Sequence, residues 1–275
     1  MFLRSGGLKV PPLFFRVENM TKDLCLRLGE LAEKYETADF VKEDPSQFLR
    51  WYTQVRDVEV AAFTAAMLSF GNRKQFIPKI KYIFECADKA GGLAQWLCSG
   101  DFENSFFSPD GNDEKKFYRF YSYFDMKIFF RSCARILKSA ETFGEFFRVK
   151  AESRAAECSV AVCVLEEIAK AFGDCAIVPK GKCSANKRVH MFLRWMVRKN
   201  SPVDLGLWEW FDESELIIPL DTHVLQEAIK MGIISEKTSG SYKTAVKITE
   251  ALKEIWPEDP CRGDFALFGL GVDAK

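Results

Sequence analysis

The sequence predicts an all-helical fold. Apolar residues recur at helical spacing along most of the chain, clean strand alternation is nearly absent, and periodic runs open on Thr, Asp or Ser and close on Gly. The first helix starts near Thr21 and reaches Tyr35, with Leu24, Leu26, Leu28 and Leu31 as its apolar positions. A second covers residues 45–54, with Asp44 as N-cap and Pro45 first in the helix. Asp57 is then read as the N-cap of V-E-V-A-A-F-T-A-A-M-L-S-F, which Gly71 stops. That run is apolar almost all round, which predicts a buried central helix. Further helices are expected at about 78–90, 93–98, 124–138, 142–150 and 152–172, the last ending at Gly173. Residues 99–112, rich in Gly, Asp, Asn and Ser, read as a surface turn.

The 275 residues suffice for one large domain or two modest lobes with a true core, and 48% hydrophobic with 28% charged residues are globular values. No stretch approaches the roughly 20 apolar residues of a membrane span. Residues 1–19 are apolar in patches but broken by Gly6, Gly7, Pro11, Pro12 and charge, with no cleavage site, so they do not read as a signal peptide. They are treated as an N-terminal extension, with translation from Met20 as an alternative, and residues 20–275 as one helical domain of two lobes.

The nine cysteines are scattered and form no C-x-x-C pair, which predicts reduced thiols in a cytoplasmic protein. Cys158, Cys163, Cys175 and Cys183 lie near one another, but their gaps fit neither zinc nor iron–sulfur spacing. With only His190 and His223 present, a histidine-rich metal site is excluded by inventory. No metal and no cofactor are therefore expected.

Net charge is zero, which argues against broad attraction to nucleic acid. Between Asp174 and Asp204, however, no acidic residue occurs, while Lys180, Lys182, Lys187, Arg188, Arg194, Arg198 and Lys199 do. One basic segment in a neutral chain can hold a phosphate backbone, or can be a solvated helix face. The stretch K-K-F-Y-R-F-Y-S-Y-F-D interleaves cations with aromatic rings, which suits stacking on nucleobases and equally suits an aromatic core stripe.

The chemistry is concentrated between Pro179 and Gly232. Ser184 is the expected N-cap of a helix running to about Lys199, with Lys187 in its first turn. The positive end of the helix dipole, with Lys182 and Arg188 close in sequence, favours the neutral amine that a nucleophilic lysine needs. In L-I-I-P-L-D-T-H-V-L, Pro219 breaks a buried connection and Asp221 stands as N-cap of a helix over 222–231 that Gly232 stops. A carboxylate there is held ionised by backbone N–H groups and can steady a cation or accept a proton; it can also be a plain cap.

Together these segments resemble the helix-hairpin-helix DNA glycosylase superfamily, in which a lysine opens the hairpin's second helix and an aspartate caps the next. Asp221-Thr222-His223-Val224 resembles the D-T-H-V/I of the endonuclease III branch. The run Lys187-Arg188-Val189-His190-Met191-Phe192-Leu193-Arg194 resembles K-x-x-S-H-F-L-R of archaeal-type 8-oxoguanine glycosylases, and the spacing of 34 positions between Lys187 and Asp221 is closer to that branch. More closely, the chain resembles a bacterial family of the superfamily that carries M-F-L-R-W-M-V-R, L-I-I-P-L-D-T-H-V and D-F-A-L-F-G-L-G, found here at 191–198, 216–224 and 264–271.

The resemblance implies a two-lobed helical fold with a helix-hairpin-helix element, and a monomer acting on double-stranded DNA that carries a damaged base, an oxidised purine such as 8-oxoguanine. Lys187 and Asp221 would be the catalytic pair. Lys180, Lys182, Arg188, His190, Arg194 and His223 would contact DNA, and Trp195 and Trp208 would line the base pocket. Three departures stand out. Cys183 and Ala185 replace the hairpin's two glycines, Gln226 replaces a common arginine, and only Cys261 follows Asp221, so an iron–sulfur cluster is excluded. The missing glycines favour the alternative of a catalytically inactive DNA-binding protein of the same fold.

Overall fold

A computed structural model describes residues 20–273, and the expected N-terminal extension lies outside these. The all-helical expectation holds, with one small exception. Helix α1 (Lys22–Tyr35) begins at Thr21, whose hydroxyl accepts from Leu24 N at 3.2 Å, and it buries Leu28 and Ala32. Asp44 caps the following segment by accepting from Ser46 N at 3.0 Å, but Pro45–Arg50 is a 3-10 turn where a longer helix was expected. Helix α2 (Val55–Leu68) is buried from Val58 to Leu68, as its uniformly apolar sequence requires.

Asp57 is not the cap of α2. Gln54 opens that helix without a side-chain bond, and Asp57 Oδ1 instead accepts from Ala94 N at 2.7 Å. This bond reaches the first turn of helix α4 (Leu93–Ser99), which follows helix α3 (Arg73–Asp88). Asn72, accepting from Lys74 N at 2.9 Å, starts α3 several residues before Pro78, which sits inside the helix. The region expected to be a surface turn contains a short helix, α5 (Phe102–Ser105).

The aromatic stretch forms the exception, a hairpin of β1 (Lys116–Tyr118) and β2 (Tyr121–Ser122) turned at Arg119, whose φ of 51° is left-handed. Phe117, Tyr118, Tyr121 and Tyr123 are buried, so the core reading holds for them; Phe120 and Phe124 remain exposed. Helix α6 (Tyr123–Ser139) opens on a reciprocal Ser122–Asp125 capping box. Helix α7 (Phe143–Glu152) corresponds to the one expected over 142–150, whereas the helix expected over 152–172 begins late, α8 (Val160–Ala171) starting from Ser159 after a break. Cys158 and Cys163 are joined by a disulfide at the break, which corrects the expectation of nine reduced thiols. The remaining helices are α9 (Lys187–Val197), α10 (Thr222–Lys230), α11 (Tyr242–Lys253) and α12 (Arg262–Asp273). No helix among the described residues is long and apolar enough to cross a membrane.

The buried apolar side chains gather into two cores. The larger is built on α2, α3, α4, α6, α7, α8 and α9. The second joins α1, α10, α11 and α12 with Ile218 and Leu220. Glu59, buried in α2, organises part of the first: it accepts from Phe143 N (2.6 Å), Gly144 N (3.1 Å) and Trp208 Nε1 (2.7 Å). Burial pushes its carboxyl up, and these donors oppose the rise.

A buried ionic network ties the cores together. Arg194 of α9 pairs with Asp204 at 3.3 Å and with Asp264. Arg198 pairs with Asp204 (2.6 Å), Asp259 (2.7 Å) and Glu36 (2.8 Å). Glu36 ends α1 and Asp264 lies in α12, both helices of the second core, while the arginines come from α9 and its C-cap on the first. The Phe265 ring lies 4.4 Å from the Arg194 guanidinium and 5.2 Å from that of Arg198.

Removing one member leaves buried partners without a counter-charge. Arg198→Leu should therefore lower stability by about 3–5 kcal/mol in urea unfolding. A loss below about 1 kcal/mol would show that the network does not join the cores energetically.

Candidate active site

The loop before α9 is fixed from several sides. Lys180 Nζ donates to Cys175 O at 2.6 Å, Ser184 bridges to Ser241, and Tyr242 N donates to Cys183 O at 3.0 Å. Ser184 does not cap the helix as expected. Its hydroxyl accepts from Asn186 N at 3.3 Å, and Asn186 itself is the N-cap, in left-handed backbone (φ 44°) with no side-chain capping bond. Asn tolerates that conformation better than most residues. The outcome is that α9 begins at Lys187 with its positive end uncapped by any side chain.

Lys187 is half-buried and makes no ion pair among the described residues. Its Nζ lies 3.3 Å from Met191 Sδ and 6.0 Å from the centre of the Phe268 ring. Asp221 caps α10 as expected, with Oδ1 accepting from His223 N (2.9 Å) and Val224 N (3.1 Å). The segment before it is held by Ile218 N donating to Thr249 Oγ1 at 3.0 Å. His223 Nδ1 stands 3.8 Å from Asp221 Oδ1.

Lys187, Asp221 and His223 line one cleft of about 1230 Å³. Its lining comes from both cores, with Phe70, Met191 and Ile77 on the first side and Leu220, Phe268 and Val272 on the other. Six basic side chains (Lys42, Arg73, Lys74, Lys81, Lys187 and Arg188) face it against three acidic ones (Glu43, Asp44 and Asp221). That excess suits an anionic polymer more than a cation. Among the described residues, no group of three His, Cys, Asp or Glu side chains converges as a metal site.

The other expected site residues divide. Arg188 lines the cleft but spends donors on Met67 O and Tyr121 OH, and lies 4.7 Å from the Phe70 ring centre. Lys180 and Lys182 lie outside the cleft lining. His190 and Arg194 are corrections: both are buried, Arg194 in the ionic network and His190 beside Tyr242, so neither reaches DNA. Trp195 and Trp208 are corrections too. Both are sealed in the first core, and Trp208 donates to Glu59 (2.7 Å), so neither lines a base pocket.

Sequence reading missed the basic rim of Lys42, Arg73, Lys74 and Lys81, which is distant in sequence from the 180–199 segment. It also missed Asp264 as a site residue. This carboxyl is buried beneath the cleft, where desolvation and Asp221 push it up and Arg194 and Lys187 pull it back, leaving it at about 6. The signal available was a lone acid on the apolar face D-F-A-L-F-G-L-G.

Two measurements follow from this geometry. Asp221→Ala should cost about 1 kcal/mol of stability through the lost cap, while Asp221→Asn keeps the cap and should cost much less; equal losses in urea unfolding would contradict the capping role. Burial holds His190 down at about 4, below the 6.5 of a free histidine. Neutral His190 therefore fits the fold fully above pH 6.5, and stability should fall by on the order of 3 kcal/mol as pH drops from 6.5 towards 4. His190→Leu should flatten that part of the stability–pH curve.

No curated protein and no solved structure matches the chain. A family model described as a protein of unknown function (DUF2400) matches residues 44–273, most of the chain. The chain belongs to the DUF2400 family.

Proposed function

We propose that this protein is a DNA base-excision glycosylase with associated abasic-site lyase activity, in which Lys187 is the nucleophile. The observation that carries the reading is an amine without an ion-pair partner, half-buried at the positive end of α9, sharing a basic cleft with the Asp221 carboxylate. An amine outside any salt bridge is free to approach a substrate carbon.

The damaged nucleotide leaves the base stack, because its glycosidic bond is inaccessible inside a duplex. Lys42, Arg73, Lys74 and Lys81 hold the flanking phosphates. The Lys187 lone pair forms a bond to the sugar carbon while the bond to the base breaks, its electron pair leaving with the base. Opening of the sugar ring then gives the imine, from which β-elimination cuts the strand. Asp221, fixed by two backbone N–H groups, steadies the positive charge that develops on the sugar. An oxidised purine such as 8-oxoguanine is the proposed lesion, on the resemblance of residues 187–194 and the 34-position spacing.

Borohydride should trap a covalent adduct with duplexes carrying 8-oxoguanine or an abasic site. Lys187→Gln should abolish the adduct, and Asp221→Asn should slow its formation by about 100-fold or more. Trapping that survives Lys187→Gln removes this residue from the chemistry. Duplex binding with neither base release nor trapping would support the inactive DNA-binding alternative.

A further inference from the structure

Beneath the cleft, Lys187 faces a second, smaller chamber of about 20 Å³, whose lining also includes Arg194, Asp264, Asp44 and Phe268. That is room for one water. Asp264 is buried and its two oxygens differ: Oδ2 is held by the Arg194 guanidinium, while Oδ1 is buried with no hydrogen-bond partner. An unsatisfied buried carboxylate oxygen costs stability and persists where something else needs it. The chamber gives it one target outside the ionic network, the Lys187 amine.

We propose that Asp264 is a positioning residue for Lys187, its free Oδ1 accepting through one water the proton the lysine must release before attack. This rests on the lyase reading and adds a route for that proton. An Nζ–H bond of the ammonium breaks, its electron pair staying on nitrogen as the nucleophilic lone pair. The proton passes to the water as the water passes one of its own to Oδ1, and the resulting carboxylic acid returns it to the departing base.

The groups facing the Asp264 carboxyl suit the task. Arg194 and Lys187 come from α9, Asp221 from the cap of α10, and Asp204 from the segment after α9; the Cys261 thiol lies beside it and Asp44 closes the chamber. Two cations keep the carboxyl ionised at neutral pH, and the surrounding acids and burial make it a stronger base than a surface aspartate. Asp221 Oδ1 already accepts two backbone N–H bonds, whereas Asp264 Oδ1 accepts none.

Two readouts on the full-length protein test this. The first is trace acetylation of Lys187 from pH 5 to 10, read by peptide mass spectrometry. Wild type should show an inflection near pH 6 that survives His223→Gln and is lost in Asp264→Asn, whose main midpoint moves down by about one pH unit. The second is single-turnover borohydride trapping, which Asp264→Asn should slow about tenfold or more at pH 7.5 even though its amine labels more readily. A merely structural role would not make labelling easier and trapping slower together. Superimposable labelling curves for the two proteins overturn the proposal, as does wild-type trapping matched by Asp264→Asn at every pH. Wild type that fails to trap overturns the lyase reading, and labelling still decides the coupling of the two side chains. If Asp264→Asn does not fold, absence of the pH 6 inflection in the wild-type and His223→Gln curves overturns it.

Discussion

The structure depends on two arginines at the end of one helix. Arg194 in the last turn of α9 and Arg198 at its C-cap are buried, and are the cations through which the first core meets Glu36, Asp259 and Asp264. Apolar contact alone would let the helices around the two cores slide against each other, since burial is non-directional. Forked guanidinium–carboxylate bonds fix one register, because each requires its own angle and distance. Such a network adds little net stability over apolar packing, yet it makes the relative placement of the two cores specific. Lys187 lies two turns before Arg194 on the same helix, so the register that closes the network also sets the amine against the cleft.

The cleft is assembled from helix ends. Asn72 caps α3 on its basic side, Asn186 caps α9 beneath Lys187, and Asp221 caps α10. Each helix start presents N–H groups and a positive dipole end, which favours anions in the space between them. Charged side chains reinforce this field at Arg73, Lys74 and Arg188. Neutral net charge over the whole chain is compatible with it, because the acids are spent in the buried network and on outer surfaces.

What the sequence disclosed depended on how local the determining interaction was. The caps at Thr21, Asp44 and Asp221 were legible because their partners lie two or three residues away. Asp57 was misread because its bond goes to Ala94, and an acid before an apolar run looks the same whether it caps its own helix or another. Ser184 failed for a related reason: its backbone is taken by Ser241 and the helix begins later. The Lys187 and Asp221 positions were legible by resemblance, and both line the cleft. His190, Arg194, Trp195 and Trp208 were assigned to it because neighbours in sequence were taken for neighbours in space; α9 is buried from Val189 to Val197 with its apolar side chains in the first core, and Trp208, in the segment after it, packs there too. The rim formed by α3 and by Lys42 of the 3-10 segment Ala38–Glu43 could not be read at all, since nothing near Lys42 or Lys81 indicates which groove they border.

The clasp between residues 183–184 and the start of α11 couples two backbones that are distant in sequence. Tyr242 N bonded to Cys183 O, with the Ser184–Ser241 bridge, fastens the approach to Lys187 onto the same core that carries Asp221. The lysine is thus anchored at one end by α9 and at the other by its partner's own scaffold. The backbone leading into Lys187 and the backbone carrying Asp221 are therefore fastened to one core, so a strain at either is shared by both.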